Sequence, residues 1–155
     1  MTTINEQLYI KGEVTIIKYD IDGNITDKRK IPNMVVTIGK NFIASRMVGA
    51  TSAVMTHMAV GTGNAVPVTG NLALGAQSST RVALTSTTVG TGANLNVITY
   101  VATFAAGVST GSIQEAGIFN HATDTAVSML CRTTFPVVVK APGDSIVITW
   151  VITVS

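Results

Sequence analysis

Hydrophobic and polar positions alternate with a period of two along most of this chain. Residues 144–155 are the clearest case. Ile146, Ile148, Trp150, Ile152 and Val154 fall on one side of the alternation; Val147, Thr149, Val151 and Thr153 fall on the other. Successive strand side chains point to opposite faces. Large apolar groups opposite β-branched ones therefore predict a strand buried on one face and half-buried on the second. The run carries no chemistry. It reads as a rigid element that packs against something.

The same pattern predicts an N-terminal hairpin. Residues 8–19 form its first strand, with Val14 and Ile16 on one face. A turn over 20–24 uses Asp22 and Gly23 for the positive φ that tight hairpins need. Residues 25–36 return as the partner strand. Their charged middle, Asp27, Lys28, Arg29 and Lys30, marks an exposed edge where Lys discourages stray pairing. One helix is predicted over 37–48, capped by Thr37 and ended by Gly49, with Phe42, Ile43, Met47 and Val48 as its apolar stripe. From residue 54 the pattern is all β. Strands are expected over 54–60, 81–89, 95–105, 111–119, 126–139 and 145–154, with a loop over 64–70. No repeat or linker divides the chain. The expectation is a single domain over 1–155, mainly β: a jelly-roll-like antiparallel β-sandwich with an N-terminal hairpin and one short helix. It divides into an arm (1–7), the hairpin (8–36), the helix (37–48) and the main β region (54–155).

Composition adds one point. Charged residues are 12% of the chain and apolar residues 46%; soluble domains usually carry about 25% charge. So little charge predicts a surface partly covered by self-association, with a homotrimer expected. A net charge of +2 is too small to imply nucleic acid. No Asp or Glu lies between Lys28 and Gln114, but the cations there are sparse and no aromatic residues interleave with them. The polar N-terminus lacks the apolar segment of a signal peptide. No apolar run reaches the roughly 18 residues of a membrane span.

Candidates for chemistry are few. Gly61-Thr-Gly63 lacks the third glycine, the Lys and the following helix of a phosphate loop, so a turn is expected. His57, His121, Asp124 and Cys131 barely make a zinc inventory. Cys131 lies in an apolar strand pattern and reads as an inert buried thiol. No serine or cysteine sits with a base and an orienting acid. No enzyme activity, metal or cofactor is therefore expected. Glu115 is the costly charge, because it lies among small and apolar neighbours. A structural ion pair with Arg81 or Arg132 is expected. The arm Met1, Thr2, Thr3, Ile4, Asn5, Glu6 and Gln7 has no strand pattern of its own and is expected to dock on a neighbouring subunit or partner.

An ordered series of segments carries a resemblance. It runs through Thr56-His-Met-Ala-Val-Gly-Thr-Gly63, Asn71-Leu-Ala-Leu-Gly75, Arg81, Tyr100-Val-Ala-Thr-Phe104, Gly111-Ser-Ile-Gln-Glu-Ala-Gly-Ile-Phe119, Arg132-Thr-Thr-Phe-Pro136 and residues 144–150. Residues 33–42 lead into the helix in the same way. The series resembles virion structural proteins of tailed bacteriophages, both the small capsid decoration (cement) proteins and the N-terminal regions of tail-collar fibres. The resemblance implies a role on the virion, with the major capsid protein and copies of the chain itself as partners and neither nucleic acid nor membrane. Decoration proteins of this kind are often trimers. The chain stops after its last strand, which favours the decoration protein over the longer fibres. The alternatives are a tail or baseplate component and a host-surface carbohydrate-binding module. The last needs exposed aromatics, whereas Trp150 falls in the core phase.

Overall fold

A computed structural model describes residues 4–49, 53–78, 80–123 and 128–155. β1 (Ile10–Tyr19) and β2 (Ile25–Pro32) form the hairpin, and Gly23 at φ 84° takes the left-handed turn position. Then come β3 (Met34–Val35), α1 (Thr37–Arg46), β4 (His57–Gly61), β5 (Val82–Ala83) and β6 (Ser86–Val89). β7 (Val97–Phe104), β8 (Gly111–Phe119), β9 (Met129–Lys140) and β10 (Ser145–Val154) complete the fold. They build two five-stranded antiparallel sheets, β2-β1-β10-β7-β6 and β3-β9-β8-β4-β5. The expected mainly β sandwich, with its hairpin and short helix, is the observed architecture.

The main core lies between the sheets. Val14, Ile16, Phe104, Ile148 and Trp150 of the first sheet meet Met58, Val60, Ile113, Ile118 and Leu130 of the second. Each such side chain stabilises by roughly 1.5–3 kcal/mol when removed from water. Alternation then places the neighbours of Met58 and Ile118 on the far side of the second sheet. There Val36, Ala59, Leu74, Phe119 and Met129 form a second cluster. The second sheet is thus buried on both faces.

Two expected strands are each split between the sheets. The run 25–36 breaks at Asn33: β2 pairs with β1, whereas β3 pairs with β9. The run 81–89 breaks at residues 84 and 85. The Leu84 N–H bonds to Thr56 in the second sheet, and the Thr85 N–H to Val101 in the first. Ile31 and Val35 on either side of Asn33 face the same core, as do Val82 and Leu84, whereas β6 is exposed throughout.

The helix differs in two respects. Thr37 is its first residue rather than its cap. Val36, extended and without a side-chain bond, holds the cap position, and the Thr37 N–H donates to the Thr69 carbonyl at 2.7 Å. Met47 and Val48 lie past the helix end and are 88% and 84% exposed, so the expected apolar stripe reduces to half-buried Phe42 and Ile43. Gly39 is the contact with the sheet: a Cβ there would fall 2.0 Å from the Leu130 carbonyl oxygen.

The charged run of β2 is also more than an exposed edge. Lys28 and Lys30 point outward. Asp27 holds Arg29 at 2.8 Å, and Arg29 reaches across to the Pro136 and Val137 carbonyls of β9. Lys18 caps the Val139 carbonyl at 3.0 Å in the same way. β3 is only two residues long. These cations therefore supply donors to a stretch of β9 edge that would otherwise invite another strand.

Candidate functional site

Glu115 sits in the middle of β8 with no exposed surface. The structure brings Arg132 to it from β9, two hydrogen bonds deep: Nε at 3.0 Å and Nη2 at 2.8 Å, both to Oε2. Three backbone amides complete the shell. Gly75 donates to Oε2 at 2.8 Å; Gly63 and Ala76 donate to Oε1 at 3.0 and 2.6 Å. Burial alone would raise this carboxyl's pKa. The Ala76 and Gly75 amides and Arg132 outweigh burial and hold it below 4.5. Arg132 turns its third nitrogen to Asn71 Oδ1 at 3.0 Å, and that oxygen also accepts from the Val68 N–H.

The hub pins a long loop across the second sheet. The Thr62 N–H bonds to the Ala76 carbonyl, and the Ser78 N–H to Val60, so the loop closes back on β4. Leu74 is carried onto the second core cluster. Gly61 and Gly63 permit this closeness: a Cβ on either would come 2.5 or 2.4 Å from Glu115 Oε1. The Gly61-Thr-Gly63 segment is therefore more than the expected turn. It helps cradle an anion, and the anion is the protein's own carboxylate.

Arg81, the other expected partner, goes elsewhere. Its guanidinium lies 3.6 Å from the centre of the Phe119 ring and donates to the carbonyls of His121 and Thr123 and to Ser128 Oγ. His57 lies on β4, and its pKa is lowered by burial first and then by Arg81 and His121. His121 bonds locally to Thr123, and Asp124 lies outside the described residues. Among the described residues no three potential metal ligands cluster. Cys131 is fully buried, and burial pushes its thiol well above the ordinary value, which suppresses the reactive thiolate. Trp150 is fully buried. Of the arm, Ile4 to Gln7 are exposed, and Met1, Thr2 and Thr3 lie outside the described residues.

Sequence reasoning missed Lys140, which is 1% exposed. Its ammonium donates to the Ala105 carbonyl at 2.9 Å, and burial lowers its pKa against the opposing pull of Asp144. It also assigned no role to Asn71, Gly75 and Ala76. A carboxylate in a small-residue strand, with glycines clustered in the preceding loop, was the available signal.

The outer face of the first sheet is a second feature. In register across β10, β7 and β6 stand Thr149, Val101 and Ser86, and next to them Val151, Thr99 and Thr88. Val147 and Thr103 form a further row, and Thr153 and Val97 another. Not one is charged, and none is fully buried. Charge enters this face only on β1 and β2, at Lys11, Glu13, Lys28 and Lys30.

Comparison with protein-family models, with curated proteins and with solved structures found no match to this chain. Among the described residues no helix is long and apolar enough to cross a membrane.

Proposed function

We propose that this chain is a non-catalytic structural component of a tailed-bacteriophage virion: a capsid decoration protein that associates with its own copies, as a homotrimer, and binds the major capsid protein on the capsid exterior. The observation that carries the reading is where the resembling segments meet. Gly63, Asn71, Gly75, Glu115 and Arg132 come from four separate segments of the series, and all converge on one carboxylate hub. The series is thus a connected unit whose job is to fasten a loop to a sheet. A rigid, fastened surface suits a clamp. A protein that binds the assembled shell and not its loose subunits stabilises the shell by mass action, and many symmetric copies add avidity. The arm, exposed from Ile4 to Gln7, would extend the contact to a neighbour. A carbohydrate-binding role would draw on exposed aromatic rings, and the one indole, Trp150, has no exposed surface.

The test is gold labelling of purified virions, viewed by electron microscopy. Label over the head supports the decoration protein. Label on the tail or baseplate transfers the chain to the tail reading. Virions that carry no label overturn the virion assignment.

A further inference from the structure

We infer that the outer face of the first sheet, the neutral strip across β10, β7 and β6, is the surface through which copies of this chain meet. The inference deepens the self-association part of the proposed function and rests on it.

The two sheets differ in a way that one isolated chain does not explain. The second sheet carries apolar groups on its outer face and has them covered, by Val36, by Leu74 and by the loop fastened at Glu115. The first sheet carries Val97, Val101, Val147 and Val151 on its outer face, and α1 packs on β9 instead. A solvated sheet face ordinarily reads polar, with charged residues alternating against the core. Here the alternation is apolar against β-branched, the pattern of a sheet with something on both sides.

Charge selects the occupant. A basic or acidic partner would be met by charge of the opposite sign, and the strip has none. A second copy presents the same neutral strip, so a symmetric contact brings no like charges together. The only charges on this face stand at its β1–β2 margin and have both signs; Glu13 already pairs with Lys30 at 2.9 Å. Size sets the extent of the contact. The strip's three strands, ten, eight and four residues long, present roughly 360 Å² on one side at about 4.8 Å between strands and about 3.4 Å per residue, and the β1–β2 margin brings the whole face to about 650 Å². A standard interface takes about 800 Å² per partner. Sheets stack about 10 Å apart when β-branched faces interdigitate. Around a three-fold axis, each copy would turn the strip towards its two neighbours.

The test compares the full-length wild type with Val151→Lys and Thr103→Lys by sedimentation equilibrium across the micromolar range. Thr103 is exposed, so its variant keeps the fold even where the half-buried Val151 does not. The expected result is an oligomeric wild type, and variants with native circular dichroism whose self-dissociation constant rises about tenfold or more. A wild type that stays monomeric throughout overturns both the inference and the self-association it rests on. An oligomeric wild type with a folded, equally oligomeric Thr103→Lys overturns the surface alone and leaves self-association standing elsewhere on the molecule.

Discussion

At the scale of single residues, Glu115 carries the most consequence. Its carboxylate satisfies five donors from three parts of the chain. Glu115→Ala would leave Arg132 as an unpaired cation in the core and three amides without an acceptor, a loss of roughly 3–5 kcal/mol. Thermal or denaturant unfolding measures it, and an unchanged midpoint would refute the role. The same site predicts a pH dependence. The folded-state pKa lies below the ordinary 4.5. Its contribution is therefore fully present above that value and is lost as pH falls through the folded-state pKa. Glu115→Gln has no such titration. The stability gap between wild type and Glu115→Gln should be wide at neutral pH and narrow below 4.5. A gap that stays constant down to acid pH would mean that ionisation of Glu115 does not hold the loop.

At the scale of elements, legibility followed the number of partners a strand has to choose between. β10 ends where its alternation ends, because it runs unbroken between two long neighbours, β1 and β7, in one sheet. The runs through Asn33 and through residues 84 and 85 look like single strands in the sequence because a period of two reports which face is buried, not which neighbour is bonded. The run through Asn33 keeps its phase across the change of sheet, with Ile31 and Val35 both facing the main core. The hub was half legible for a similar reason. A carboxylate among small residues announces its need for a cation, but choosing Arg132 over Arg81 takes the β8–β9 register, and the Gly75 and Ala76 amides take the path of a loop with no period at all. The helix ends short of its apolar spacing. Met47 and Val48 continue an apolar spacing past Arg46, yet they face water. Met47→Lys with Val48→Lys should therefore change stability by no more than about 0.5 kcal/mol per site. A larger loss would place these side chains in contact with the core.

At the scale of the whole molecule, the arm separates folding from assembly. Just past it, the Tyr9 carbonyl accepts the Ser155 N–H at 2.8 Å and so closes the β1–β10 ladder. Before it, Ile4 and Leu8 are 82% and 72% exposed, although both are apolar. A groove of about 430 Å³ opens beside this point, between Leu8, Tyr9 and Ile10 and the α1 residues Ile43 and Ala44 together with Met47. Residues that bury nothing in the monomer add little to its stability, and a segment that orders only on docking meets its entropic cost at that moment. A chain that begins at Leu8 should therefore unfold within a degree or two of the intact protein, since a loss below about 0.5 kcal/mol moves the midpoint little in a domain of this size. If the arm docks on a neighbour or on the shell, the shortened chain will bind virions, or its own copies, more weakly while its fold is unchanged. Full-affinity decoration by the shortened chain would show that the arm is only a tail and leave the contact to the sandwich. A large drop in melting temperature would show instead that the arm belongs to the monomer's own fold.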